Sequence, residues 1–263
     1  MAYFVPKVST PVLNQADFKS VFGGVAGSLP FDACNLVRVT ELIALPGTVF
    51  EIVARHPHHI LEVRTAEYLS LSPLFVDSRF GTEMKKKPPE REKKLPPRQV
   101  VLERMKSKVG KPYIWGGNQA LGVPELLEYY PPTKTLTQLE KVSWTFEGVD
   151  CSGLLYEAVD GALPRNTQDL LFAGKSVPIK GVAWDKIPSL LQPLDLLIWR
   201  GHMTIVYDEK QTIESKHEWG GVCMRNLQER LQLIREVDQK TPADDPIHVL
   251  QNPDTFLVRR VIA

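Results

Sequence analysis

Cysteine is scarce in this chain of 263 residues: Cys34, Cys151 and Cys223 are odd in number and far apart, which excludes a disulfide framework. Charge of one sign is missing too. The 32 basic and 31 acidic residues leave a net +1, so nothing in the global balance points to a nucleic-acid partner or an electrostatic hold on a membrane. No uninterrupted apolar run reaches about 18 residues, so no membrane span is expected. The opening MAYFVPKVSTPVLNQADF has no basic segment followed by an apolar core, so no signal peptide is read there. With numbering that begins at Met1, no removed leader is expected, and a reducing cytoplasm is the expected location. His56, His58 and His59, with Cys34 upstream, lack a CxxC or HxxxH frame and are interrupted by Pro57, so they read as an exposed turn and not as a zinc site. No internal repeat is present.

The length suits one large domain or two modest ones, and the composition shifts in a way that favours two. Residues 81–99, GTEMKKKPPEREKKLPPRQ, crowd prolines and charges together with almost nothing apolar and read as a stiff, solvated linker. Before it, residues 1–80 contain short alternating strands rich in Val, Ile, Leu and Tyr, broken by Pro46-Gly47 and by His-Pro-His-His, the pattern of a small β-barrel. After it, residues 100–263 mix short amphipathic helices, among them VVLERMKSK, with a run of strands from 194 to 216 separated by tight turns.

The chemistry centres on GVDCSGLLYEAVDG, residues 148–161. Asp150 is a favoured N-cap residue, Gly161 stands where a helix commonly stops, and Leu154, Leu155, Ala158 and Val159 supply an apolar face. Cys151 therefore falls in the first turn, where unpaired backbone N–H groups and the positive end of the helix dipole favour a thiolate. Gly153 leaves room for a substrate. These local features leave two readings open, a small buried residue or a nucleophile. A partner base decides between them.

His202 opens a strand in LLIWRGHMTIVYDEKQTIESKH, with Thr204 and Val206 on its face. An odd-length turn around DEKQ pairs Thr204 with Glu214 and puts that carboxylate on the face of His202, whereas a four-residue turn sets His217 across from it. A cysteine peptidase needs an imidazole to take the thiol proton and a third group to fix the tautomer of the ring.

Taken in order, KPYIWGGN, GVDCSGLLYEA, LPRNTQDLLFAGKSV, LQPLDLLIW and GHMTIVY resemble the NlpC family of bacterial cell-wall cysteine peptidases over roughly residues 100–263. The closing FLVRRVI is similar to the family's last strand, and residues 1–80 resemble a bacterial SH3-like domain. The resemblance implies an α+β fold in which a papain-like catalytic domain, its nucleophile helix packed on an antiparallel sheet, follows a small SH3-like β-barrel. It implies Cys151 as nucleophile, His202 as general base, Glu214 as the third residue, and Tyr113 beside the oxyanion. Relatives usually carry His, Asn or Gln at the third position, so Glu214 is a departure; a carboxylate there should favour the imidazolium–thiolate pair. Asp150 and Ser152 are assigned to substrate, with Glu41 and Tyr68 as the nearest matches to a glutamate and a tyrosine that help receive a free terminal amine. Arg165 has two open readings, a partner for a substrate carboxylate at the cleft edge or a structural ion pair.

The implied activity is that of a cysteine endopeptidase of the γ-D-glutamyl-meso-diaminopimelate type, acting on short muropeptides with a free N-terminal L-alanine. Peptidoglycan-derived peptides are the expected partners, with no protein partner, metal or other cofactor. An amidase or acyltransferase on the same scaffold, a non-catalytic peptidoglycan-binding protein, and a scaffold that binds a partner through its insertion are the alternatives. Two further departures stand out. Some thirty residues, 118–147, separate Trp-Gly-Gly from the cysteine box where relatives have far fewer, and so long an insertion reads as a lid or a groove wall. Leu194 also stands where the family has a glycine.

Overall fold

In the computed structural model, residues 2–24 and 27–262 are described. Among them no helix is long and apolar enough to cross a membrane. By internal contact the chain forms two compact units, one of residues 1–93 and 112–150, the other of residues 94–111 and 151–263.

The first unit begins with β1 (Ala2–Pro6), β2 (Thr10–Leu13), α1 (Phe18–Val21), β3 (Thr40–Ala44), β4 (Phe50–Arg55), β5 (Ile60–Arg64), β6 (Leu74–Asp77) and β7 (Gly81–Met84). After α2 (Arg98–Lys106), which belongs to the second unit, it resumes with β8 (Asn118–Gln119), α3 (Glu125–Tyr129), α4 (Gln138–Trp144) and β9 (Gly148–Val149). Its large sheet has seven strands in the order β3-β2-β6-β5-β4-β1-β7. The barrel expected for residues 1–80 is therefore not closed: β3 and β7 are the two ends of an open path. The physical reason lies at the free edge of β3, where the buried Asn118 side chain accepts from Ile43 N at 2.9 Å and donates to Ile43 O at 2.9 Å, filling the place of a neighbouring strand.

The expected linker also differs. Residues 81–84 are strand β7, paired with β1, and residues 98–99 start α2. Between them Arg91 donates to Glu67 Oε2 from Nε (2.9 Å) and Nη2 (2.7 Å), so the charged run is tied down by a half-buried ion pair.

The long insertion packs into the core of the first unit. Val123, Leu126, Trp144 and Phe146 share one apolar cluster with Phe18, Phe22, Phe50 and Phe80. Tyr130 stacks on Phe22 and donates its hydroxyl to the buried Asp77 at 2.6 Å, a bond that, after burial itself, raises the phenol above its ordinary range. The helix α4 is started by a capping box in which Thr137 and Glu140 satisfy each other's backbone N–H groups. The glycines of the Trp-Gly-Gly and Gly-Val-Asp-Cys motifs have a packing reason here. Gly116 has φ +69° and a Cβ there would sit 2.6 Å from Thr40 O, while Gly148 has φ +153° and a Cβ would sit 2.4 Å from Pro112 O.

The second unit holds α2, then α5 (Cys151–Ala158), α6 (Thr167–Leu170), β10 (Lys175–Val177), β11 (Asp195–Trp199), β12 (His202–Val206), β13 (Gln211–Lys216), β14 (Gly221–Asn226), α7 (Leu227–Glu236), β15 (Thr241–Pro242), α8 (Pro246–Gln251) and β16 (Thr255–Arg260). The sheet runs β10-β16-β11-β12-β13-β14 through antiparallel pairs, with β15 parallel to β16. The mixed α/β composition agrees with the expected class. Helix α5 is buried on nearly every side, beyond the single apolar face read from the sequence, and packs against α2, β12 and β13. Arg104 of α2 closes the far end of α5 by donating to Ala158 O (3.0 Å) and Asp160 Oδ2 (2.7 Å). Leu194 has a left-handed backbone, with φ +72°, while its side chain is fully buried.

Candidate active site

Cys151 is the first residue of α5 and is 6% exposed. The strands on which α5 packs are β12, which His202 opens, and β13, which carries Glu214. The pairing of Ile205 with Ile213 and of Val206 with Thr212, with Tyr207 N donating to Gln211 O, leaves residues 208–210 as the turn, the odd register. Glu214 consequently meets His202: Nε2 and Oε2 lie 2.8 Å apart. His217 instead begins the short 3-10 turn His217–Trp219 beyond the end of β13. Trp199 lies against the imidazole, with ring centroids 5.2 Å apart.

A second partner holds Glu214. Arg230, fully buried, donates from Nε to Oε1 at 2.6 Å and from Nη2 to Oε2 at 3.0 Å, and its Nη1 reaches Asp238 Oδ2 at 2.8 Å. Asp238 in turn accepts from Lys216 Nζ at 3.1 Å. Helix α7 brings Arg230 there because Asn226 caps its first turn, accepting from Gln228 N and Glu229 N. Burial would push the Glu214 carboxyl up; the hydrogen bonds from His202 and Arg230, with the Arg230 charge, outweigh it and hold the group at about 2. Burial likewise pulls Arg230 down, and its bonds to Glu214 and Asp238 raise it above its ordinary value. An ionised carboxylate only accepts, so Nε2 of His202 carries the hydrogen and Nδ1 is the basic nitrogen of the neutral ring.

The same shift couples the site to acid stability. A carboxyl lowered from 4.5 to about 2 on folding stabilises the fold fully above pH 4.5 and loses that contribution as pH falls toward 2. The loss amounts to about 3 kcal/mol. Urea unfolding at pH 6 and pH 2 should show a fall in stability smaller by about that amount in Glu214→Gln than in the unsubstituted protein; equal falls would mean that Glu214 is not held ionised.

The other sequence-derived residues are placed as follows. In the first unit Glu41 and Tyr68 meet, Tyr68 donating its hydroxyl to Oε2 at 2.7 Å while Asn14 Nδ2 donates to Oε1 at 2.9 Å. Tyr113 is half-buried ahead of β8, and Asp150, buried, donates its backbone N–H to Gly117 O at 2.9 Å. In the second unit Arg165 is buried, 3% exposed, and its Nη1 donates to Ser152 Oγ at 2.9 Å. His58 and His59 are exposed between β4 and β5, and among the described residues no group of three His, Cys, Asp or Glu could hold a metal ion. Arg230 was missed from sequence, although a signal exists: with Leu227, Leu231 and Ile234 it lies on the buried face of α7.

No protein-family model and no curated protein matches the chain. Solved structures similar to it include the peptidoglycan hydrolase RipB of Mycobacterium tuberculosis, at 24% identity over 63% of this chain and 65% of that chain, with a TM-score of 0.38. An NlpC/P60 family protein from Bacillus cereus is similar at 14% identity over 100% of this chain and 64% of that one, TM-score 0.38. RipD of M. tuberculosis, described as a non-catalytic NlpC/p60 domain protein adapted to peptidoglycan binding, is similar at 20% identity over 63% of this chain and 97% of that one, TM-score 0.38. The chain thus spans just under two thirds of the length of the first two. The second and third of these bear the name of the family whose motifs the sequence resembles. With TM-scores below 0.5, the likenesses themselves carry no argument about this chain's chemistry.

Proposed function

We propose that the chain is a cysteine peptidase of peptidoglycan stem peptides, cutting the γ-D-glutamyl–diamino acid bond of short muropeptides with a free N-terminal L-alanine. The observation that supports it is the His202–Glu214 hydrogen bond of 2.8 Å on strands against which the Cys151 helix packs. In this reading Nδ1 of His202 takes the thiol proton and the Cys151 thiolate attacks the γ-carbonyl carbon. The imidazolium then returns the proton to the leaving amine of the diamino acid, and a thioester remains. Water, deprotonated by the same nitrogen, attacks the thioester; its hydroxide stays on the glutamate and the proton ends on the released thiol. Roles for Tyr113, Asp150, Glu41 and Tyr68 rest on the motifs alone.

The test is a synthetic L-Ala-γ-D-Glu-diaminopimelate tripeptide, followed by mass spectrometry. Release of L-Ala-D-Glu and diaminopimelate is the expected result. Transfer of the dipeptide to an added amine without hydrolysis would establish the acyltransferase alternative instead, and binding without either product the non-catalytic one.

A further inference from the structure

A buried carboxylate that steadies a histidine also draws charge onto it. Where imidazolium is the sole cation in reach, the ring is held protonated and gives up its proton reluctantly, yet the proposed reaction needs the ring to take a proton and release it in each half. The surroundings of Glu214 are arranged differently. From β12 it meets His202 and from α7 Arg230, which also donates to Asp238 beyond α7, a carboxylate that Lys216 reaches as well. From β14 Cys223 lies opposite it in register, with Arg225 two residues on. Helix α5, packed on β13, carries Cys151, Tyr156 and Glu157 in its sequence, the last paired with Lys108 at 3.6 Å. The linked set Glu214, Arg230, Asp238 and Lys216 is already neutral, two charges of each sign, without a proton on His202. Geometry adds a second constraint. Oε1 is occupied by Arg230 Nε, and Oε2 is shared by Arg230 Nη2 and His202 Nε2, so the carboxylate cannot turn without breaking the guanidinium fork.

We propose that Arg230 is a positioning residue for the His202–Glu214 pair: it supplies the counter-charge of the carboxylate and fixes both its oxygens, so that Glu214 orients the ring through one Nε2–H bond without drawing a second proton onto Nδ1. This rests on the reading of His202 as the general base. It also revises the expectation that Glu214, merely by being charged, holds the imidazolium more firmly than an amide: its pull is divided between the ring and the guanidinium.

The experiment is a ¹⁵N NMR titration of the His202 ring in a Cys151→Ala background, where no thiolate contributes. Arg230→Met should keep the ring doubly protonated to a pH higher by about one unit or more, a tenfold rise in proton affinity. Arg230→Lys, which keeps the charge and loses the fork, should fall between. The pair Glu214→Gln with Arg230→Met, which removes both charges together, should bring the midpoint back below that of Arg230→Met. An Arg230→Met midpoint equal to that of the Cys151→Ala protein overturns the proposal. Because Arg230→Met leaves a buried carboxylate short of a partner and can fail to fold, the parent background gives an independent check: a neutral ring carrying its proton on Nε2 at pH 8 is expected, and a doubly protonated ring there overturns the proposal equally. Failure of the function reading shows elsewhere, as an absence of tripeptide hydrolysis by the unsubstituted protein.

Discussion

Cys151→Ser is expected to lower tripeptide hydrolysis by at least about 10⁴-fold while leaving the urea unfolding midpoint within error. The substitution exchanges one atom at a position that is 6% exposed, so packing changes little. What changes is the nucleophile: a hydroxyl is far harder to deprotonate than a thiol and gains less from the first turn of a helix. His202→Ala should cost a similar factor, and the double variant little more than either alone, because a nucleophile without its base and a base without its nucleophile are equally idle. Alkylation supplies a reading that needs no substrate. Iodoacetamide should modify Cys151 faster than Cys34, although Cys34 is exposed and Cys151 is buried. Additive losses, or a variant that keeps more than a tenth of the activity, would remove Cys151 from the chemistry.

The parts of this site that the sequence made legible are those governed by short-range rules. The start of α5 at Cys151 follows from a favoured cap residue ahead of an apolar run and a glycine after it. The choice of Glu214 over His217 reduces to the parity of one hairpin turn, since a strand alternates its faces. Arg230 was hidden for the opposite reason. Helical spacing places it on the apolar face of α7, but a guanidinium there can equally snorkel to solvent, and only the fold brings α7 onto β13, with Asp238 beyond it. The open first sheet was hidden likewise, because alternating strands look the same whether the last one returns to the first or an asparagine side chain from some 75 residues away takes its edge. The burial of Arg165, with Nη1 on the Ser152 hydroxyl, is likewise a product of the fold that charge alone does not report.

The insertion gives the clearest separation between what its length suggested and what its packing shows, and Trp144→Ala measures the difference. Trp144 is 1% exposed, lies 6.1 Å from Phe22 between ring centroids, and donates Nε1–H to Tyr130 O at 2.9 Å. Truncating it opens a cavity among aromatic rings and strands a carbonyl, a loss of about 3–5 kcal/mol. Leu139, on the same helix α4 but 58% exposed, should cost no more than about 0.5 kcal/mol when changed to alanine. A lid or a partner-binding arm would answer both substitutions alike, with activity or capture altered and stability untouched. A core element must answer them unequally, and the inequality should appear in the thermal unfolding of the protein before any substrate is added. Excision of residues 118–147 then removes not a cover but Val123, Leu126, Trp144 and Phe146 together with the Asn118 amide at the edge of β3, and the first unit should no longer unfold cooperatively.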